Sequence, residues 1–167
     1  MRWLWLDGIE ELKSGHSATG HKVFSADESF FRDHFPGFPV VPGVILLEAM
    51  AQLSGKLIGY TVRMERGDWP FPILSMAEKV KFRRFVRPEE RVEFTASIIS
   101  LRDESALMKV RAKVDGKVVA QAEETFVFNA VKLDNETESA RIEQLEREAL
   151  AALWRDCPDN INADLAE

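Results

Sequence analysis

Hydrophobic residues follow a helical period in the middle of the chain. Leu46, Met50, Leu53 and Leu57 recur at intervals of four, three and four residues, which places their side chains on one face of an α-helix. Other apolar residues cover most of the remaining circumference, so we expect the helix over residues 44–63 to be buried. A narrow polar line, whose members are four residues apart, interrupts this apolar surface. It consists of Glu48, Gln52 and Lys56.

The second half of the chain alternates between apolar and polar residues. The alternation runs over residues 107–114, stops at Asp115-Gly116, a strong signal for a two-residue hairpin, and resumes up to Phe128. Further strands are predicted over residues 3–13, 21–25, 73–87 and 92–101. One long buried helix combined with several antiparallel strands predicts an α+β domain in which the sheet wraps around a central helix.

The C-terminal segment has a different composition. Residues 134–167 hold ten acidic and three basic side chains, whereas residues 1–133 hold 18 acidic and 19 basic ones. We therefore predict a domain over residues 1–133 and an acidic extension over residues 134–167, and we expect the domain to fold without the extension. Four apolar residues at helical spacing predict an amphipathic helix in the extension: Ile142, Leu145, Ala149 and Leu153.

Composition excludes several classes of function. The 167 residues suit one domain, and the near-neutral charge of residues 1–133 gives no general affinity for nucleic acid. The apolar stretch over residues 40–60 contains charged residues, so no membrane span is expected. A single cysteine, Cys157, forms no intrachain disulfide and favours a reducing cytoplasmic location. The three histidines and the cysteine lack the spacing of metal ligands, so no metal is expected.

The candidate chemistry lies between residues 34 and 52. Three prolines and two glycines stand among the ten residues from His34 to Gly43, and they predict a stiff loop before the helix. His34 in this loop and Glu48 in the apolar helix are two candidate proton carriers. Elimination of water from a β-hydroxyacyl compound needs such a pair, because a base removes the proton beside the carbonyl and an acid protonates the departing hydroxyl.

Pro42-Gly43 adds a third element at the helix start. Proline is favoured at the first helical position, so we expect Gly43 to be the second. Its N–H is then free to bind a carbonyl oxygen as enolate character develops. Glycine at this position also lets a thioester approach the backbone closely.

Three stretches resemble one family. The chain reads His-Phe-Pro-Gly-x-Pro-Val-x-Pro-Gly-Val from His34, Glu-Ala-Met-Ala-Gln from Glu48, and Lys-Val-Lys-Phe-Arg-Arg-Phe-Val-Arg-Pro from Lys79. These stretches, with Val-Asp-Gly at residues 114–116, resemble the (3R)-hydroxyacyl-[acyl-carrier-protein] dehydratases of the FabZ type, which are hot-dog-fold enzymes of fatty-acid biosynthesis. The resemblance covers roughly residues 3–131 and implies a hot-dog fold, to which the helix predicted from the spacing of the C-terminal segment is appended.

The resemblance assigns roles to four residues. His34 matches the family's catalytic histidine, Glu48 its catalytic acid, Gly43 its backbone donor to the thioester carbonyl, and Gln52 the polar residue one turn beyond the acid. Glutamate at position 48 points away from the related dehydratase/isomerase branch, which has aspartate there. The family uses no metal or redox cofactor, and its substrate is carried on the phosphopantetheine of acyl carrier protein.

The resemblance also implies partners. In the family, the histidine and the glutamate of one site come from different protomers, which implies a homodimer or a trimer of dimers. Residues 79–91 carry six basic and two acidic side chains. We interpret this run as a docking surface for the acidic carrier protein, although a solvated sheet face is the alternative. The docking candidates are Lys79, Arg83, Arg84 and Arg87.

The chain departs from the family pattern at three places. Asp33 stands where the family usually has glycine, residues 3–7 replace its usual opening, and the acidic extension from Asp134 onward has no counterpart. These differences leave open a specialised polyketide or lipid pathway beside fatty-acid synthesis. Two other functions also remain open: a hot-dog acyl thioesterase, and a non-catalytic subunit that binds acyl carriers within a dehydratase complex.

Overall fold

One antiparallel sheet wraps around one long helix. The computed structural model describes residues 3–128 and 136–158. Its strands are β1 (Gly8–Lys13), β2 (Ser17–Val23), β3 (Ile73–Phe82), β4 (Arg91–Leu101), β5 (Ser105–Val114) and β6 (Lys117–Val127). Its helices are α1 (Gly43–Arg66) and α2 (Glu136–Leu153), with a short 3₁₀ turn over Ser29–Arg32. The strand order β1-β2-β4-β5-β6-β3 leaves β1 and β3 at the two edges, and the predicted hot-dog α+β architecture is confirmed.

The central helix is buried as its apolar period predicts. Leu46, Met50, Leu53 and Leu57 are each at most 3% exposed and face the sheet. The helix ends at Gly67, whose φ of 83° and N–H bond to Arg63 O (3.0 Å) form a left-handed cap. A residue with a side chain adopts this conformation at a cost, which explains why the helix stops there.

The β5–β6 hairpin follows the alternating pattern. Asp115 and Gly116 both have positive φ, 50° and 73°, as the tight turn between twisted strands requires. The inward positions before the turn are buried: Met108, Val110, Ala112 and Val114.

Three strand boundaries differ from those predicted. The first strand begins at Gly8, because residues 3–7 have no regular strand pairing, although Trp5 and Leu6 among them are buried in the core. β2 covers residues 17–23, earlier than predicted, because the turn around Gly15 closes a tight hairpin with β1. β3 ends at Phe82, after which the chain turns away and Val86 O accepts a hydrogen bond from Val41 N (2.8 Å).

The C-terminal helix packs into the same core as α1. Leu150, Leu153 and Trp154 are buried, and the Trp154 ring meets the Tyr60 ring of α1 edge-on at 5.3 Å. Leu145, which the sequence placed on the inward stripe, is 54% exposed, because the helix is rotated to bury Leu150. The predicted boundary between residues 133 and 134 lies outside the described residues. No helix in the described ranges combines the length and apolarity of a membrane span.

A carboxyl group lies in the core between apolar neighbours. Glu124 of β6 occupies an inward position between Ala122 and Phe126 and is fully buried. Ser54 Oγ of α1 donates to its Oε2 (3.2 Å), while Oε1 has no partner among the described residues. The pKa of Glu124 is raised from 4.5 to about 8, mainly because burial disfavours the charged form. The Ser54 hydrogen bond opposes this rise, and the negative charge of Glu48 adds to it.

We expect removal of residues 134–167 to lower the melting temperature of the chain. The deletion exposes the surface of α1 that Leu150, Leu153 and Trp154 cover, and each such side chain contributes about 1.5–3 kcal/mol through burial. Thermal melting and size-exclusion chromatography of residues 1–133 beside the full chain measure the effect. An unchanged cooperative melt would show that the extension adds nothing to the core.

Replacement of Glu124 by Gln should stabilise the fold increasingly as pH rises. Between about pH 5 and pH 8 the unfolded chain ionises this carboxyl while the folded chain keeps its proton, so the wild type loses stability with rising pH. The loss is on the order of a few kcal/mol. Melting curves across this range test the change, with Glu123→Gln on the opposite face of β6 as the control. A difference between Glu124→Gln and wild type that stays constant with pH would contradict the raised pKa.

Candidate active site

Two cavities lie along α1, and each holds part of the predicted chemistry. The first, about 450 Å³, contains Glu48 and Gln52; we call it the glutamate cavity. The second, about 440 Å³, contains His34 and Gly43 at the start of the helix; we call it the histidine cavity. Both volumes suit part of a small organic ligand.

The loop before α1 holds His34 in one orientation. His34 Nδ1 lies 3.1 Å from the carbonyl oxygen of Val40, so the Nδ1–H tautomer donates to this oxygen and leaves Nε2 without a proton. The backbone of His34 is bound on both sides, by Phe30 O (2.9 Å) and by Val40 N (3.0 Å). Its ring stacks on the Phe35 ring at 4.1 Å, and the peptide bond between the two residues is cis. Nε2 is therefore the ring nitrogen available to act as a base.

Gly43 is the first residue of α1, and Pro42 is the N-cap. The predicted positions were therefore wrong by one residue, because Pro42 has an extended ψ of 133°. The consequence for Gly43 is the same, since the N–H of the first helical residue has no acceptor within the helix. A Cβ at this position would lie 2.8 Å from the Phe82 ring, so glycine is also needed for the packing of β3 against the helix start.

Glu48 is held through one of its two oxygens. Oε1 accepts hydrogen bonds from Trp3 Nε1 (3.0 Å) and Gln52 Nε2 (2.9 Å). Gln52 is itself fixed, because its Oε1 accepts from Trp5 N (2.8 Å). This arrangement orients the carboxyl group and leaves Oε2 for a ligand, and it places Gln52 between Glu48 and the backbone of Trp5.

The structure therefore brings the four predicted residues together in pairs. His34 and Gly43 share the histidine cavity, and Glu48 and Gln52 share the glutamate cavity. Among the described residues, neither of these two cavities contains both His34 and Glu48.

The four predicted docking residues do not all lie on one surface. Arg84 lines the histidine cavity, and the Arg87 guanidinium lies 4.0 Å from the centre of the Phe38 ring in the His34 loop. Arg83 is exposed and donates to Gln121 Oε1 (3.3 Å). Lys79 points to another part of the sheet, where it pairs with Glu123 (2.8 Å). Arg84 and Arg87 are thus the members of the run placed beside His34.

Sequence reasoning missed several residues that line or adjoin the glutamate cavity. Trp3 binds Glu48, and the buried Lys56 pairs with Glu146 of α2 (2.5 Å). Ala149 of α2 lines the same cavity. The sequence contained two signals for buried polar side chains. Lys56 belongs to the polar line of α1, and the alternation along β6 places Glu124 on the inward face.

No group of three or more His, Cys, Asp or Glu residues in the described ranges is arranged to hold a metal ion. Asp33, the departure beside His34, is exposed to solvent. The groups that the described residues place in the two cavities are an imidazole and a helix-start N–H in one, and a carboxyl group in the other.

Residues 2–123 match the model of the FabA-like domain. The chain is 38% identical to a 3-hydroxyacyl-[acyl-carrier-protein] dehydratase FabZ of Clostridium botulinum strain Loch Maree, over 75% of this chain and 85% of that protein. It is 36% identical to the enzyme of the same name from Syntrophotalea carbinolica, over 75% and 84% of the two chains. α2 lies beyond the residues that the family model matches.

Solved structures share the fold at lower identity. The dehydratase heterocomplex ApeI:P from Xenorhabdus doucetiae has a TM-score of 0.63 at 14% identity, covering 84% of this chain and 89% of that one. A hypothetical thioesterase with coenzyme A from Streptococcus pneumoniae TIGR4 has a TM-score of 0.56 at 11% identity, covering 75% and 87%. At these identities the likeness concerns the fold alone. The family match and the sequence identities show that this chain belongs to the FabA-like family, among the FabZ-type dehydratases, which are hydro-lyases.

Proposed function

We propose that this chain dehydrates (3R)-3-hydroxyacyl thioesters, carried on acyl carrier protein, to trans-2-enoyl thioesters. The observation that carries the proposal is the fixed His34 ring, whose Nδ1 lies against Val40 O and leaves Nε2 as the free ring nitrogen, in a cavity that His34 shares with Gly43. A base at this place stands beside the Gly43 N–H, the group suited to a thioester carbonyl.

The mechanism divides the elimination among three groups. His34 Nε2 removes the proton on the carbon beside the carbonyl, and the Gly43 N–H binds the carbonyl oxygen as negative charge develops there. Glu48, in its protonated form, gives its proton from Oε2 to the departing hydroxyl. Water leaves, and the electrons of the broken C–H bond form the new double bond. Transfer of the proton from His34 to Glu48 restores both groups.

The reaction requires a second copy of the chain. The two proton carriers occupy separate cavities in one protomer. A site that contains both groups therefore forms when Glu48 of a second copy lies against His34. The histidine cavity is bordered by apolar side chains that are at least half exposed, which a partner would cover. These are Phe35, Val44, Phe82 and Phe85. We infer a homodimer, alone or as part of a trimer of dimers.

The histidine cavity is also the place where the carrier docks and its substrate enters. Arg84, which also pairs with Glu90 (3.0 Å), lines this cavity, and Arg87 lies beside it on the Phe38 ring. Acyl carrier proteins are acidic, so the two guanidinium groups are suited to bind the carrier and the phosphate of its phosphopantetheine. The substrate brings this group with it, and the proposed chemistry uses no other cofactor. Fatty-acid biosynthesis, or a related polyketide or lipid pathway, in the cytoplasm supplies such substrates.

Loss of either proton carrier should reduce turnover by at least about 10²-fold, the scale expected for a positioned acid or base. The variants are His34→Ala and Glu48→Gln, with His16→Ala as a control histidine that is exposed in the β1–β2 turn. Enoyl absorbance and free thiol are followed separately with 3-hydroxybutyryl thioesters. Release of thiol without enoyl absorbance would identify a thioesterase instead, and no turnover of any substrate would favour a non-catalytic carrier-binding subunit.

Mixing the two inactive variants tests the shared site. After dissociation and reassociation, a mixed dimer of His34→Ala and Glu48→Gln holds one site with both native groups, so activity should return. Each variant treated alone is the control. If the mixture stays inactive while dimers are exchanging, both groups act within one protomer.

Reversal of charge at Arg84 and Arg87 should weaken turnover of the carrier-linked substrate more than turnover of a pantetheine analogue. The loss should be larger at low salt, because screening already weakens such contacts at high salt. The variants are Arg84→Glu and Arg87→Glu. Arg102→Glu, in the turn between β4 and β5 at the opposite end of the sheet, is the control. Equal losses on both substrates would assign the two arginines to folding.

A further inference from the structure

The C-terminal helix supplies part of the wall of the glutamate cavity. Glu146 and Ala149 of α2 line this cavity together with Glu48 and Gln52 of α1. α2 lies outside residues 2–123, the part of the chain that matches the family model. A helix outside the matched region therefore forms part of the wall of the cavity that contains Glu48.

The polar line of α1 runs along the length of this cavity. Glu48 and Lys56 are eight residues apart on one helix, a rise of about 12 Å. Between them the walls are mostly apolar, and they leave room for a hydrocarbon chain. The apolar lining includes Leu4, Ala51, Phe71, Pro72, Leu74 and Phe126. A substrate whose hydroxyl lies at Glu48 therefore extends its alkyl chain along α1 toward Lys56.

An ion pair lines the cavity at the Lys56 end. Lys56 Nζ lies 2.5 Å from Glu146 Oε2, and the lysine side chain is only 8% exposed whereas that of Glu146 is 39% exposed. An alkyl chain that reached this pair would remove water from Glu146 without offering a hydrogen bond in return, which is unfavourable. Breaking the pair would leave a buried ammonium group without its partner, at a larger cost.

We propose that α2 is a specificity element, which limits the substrates of this chain to acyl groups of short and medium length. The Lys56–Glu146 pair ends the acyl cavity, and Ala149 sets its width beside α1. The inference rests on the proposed function, because it takes the acyl chain to begin at Glu48.

Two changes with opposite expected effects test the proposal. Ala149→Phe fills the cavity from α2, so kcat/KM for a 3-hydroxyoctanoyl thioester should fall at least about tenfold relative to 3-hydroxybutyryl. Ala152→Phe places the same ring on an exposed position of the same helix and should leave this ratio unchanged. The double variant Lys56→Met with Glu146→Leu replaces the ion pair by apolar groups, so it should raise kcat/KM for 3-hydroxyhexadecanoyl relative to 3-hydroxybutyryl. Lys13→Met with Glu11→Leu, an exposed ion pair on β1, is its control.

Pantetheine thioesters are used in every arm, so that carrier docking does not enter. Calorimetric binding of the saturated butyryl, octanoyl and hexadecanoyl thioesters measures the same preference without turnover, which separates this inference from the proposed function. Absence of dehydration would overturn the proposed function, whereas the order of binding still decides the role of α2. If both test variants fold and keep the wild-type preference for chain length, α2 is not a specificity element.

Discussion

Burial of α1 beneath the sheet restricts where its polar side chains can lie. Apolar side chains cover most of its surface, the buried hydroxyls of Ser54 and Thr61 have partners of their own, and burying a polar group without a partner costs free energy. Glu48, Gln52 and Lys56 therefore share one line, which faces a cavity and finds partners on segments that the fold brings to it. The same constraint that stabilises the domain thus presents a carboxyl group to a space large enough for a ligand.

The loop before α1 has a different role, because it orients the imidazole of His34. Prolines and glycines fix the path of the chain from His34 to Gly43, and the carbonyl of Val40 fixes the tautomer. The site is then divided, since the loop serves a cavity at the helix start whereas Glu48 lies more than one turn further along α1. A division of this kind makes association with a second copy part of the proposed chemistry.

The two ends of the described chain meet at the glutamate cavity. Trp3 near the N-terminus binds the carboxyl of Glu48, and α2 near the C-terminus pairs with Lys56 and adds Ala149 to the wall. These segments are also where the sequence departs from the family pattern. The residues of the family motif therefore lie on α1 and on the loop before it. The features particular to this chain surround the glutamate cavity.

The periods of the sequence by themselves determined α1, the β5–β6 hairpin and the antiparallel sheet, because burial of one face imposes a local repeat on each element. The motif from His34 to Gln52 likewise pointed to His34 and Glu48 as the candidate proton carriers. Only the tertiary structure decided that His34 and Glu48 occupy different cavities, that α2 turns Leu150 rather than Leu145 inward, and that Glu146 reaches Lys56. Contacts of this kind join segments as many as 90 residues apart, and they depend on how whole elements pack, which no local pattern of residues records.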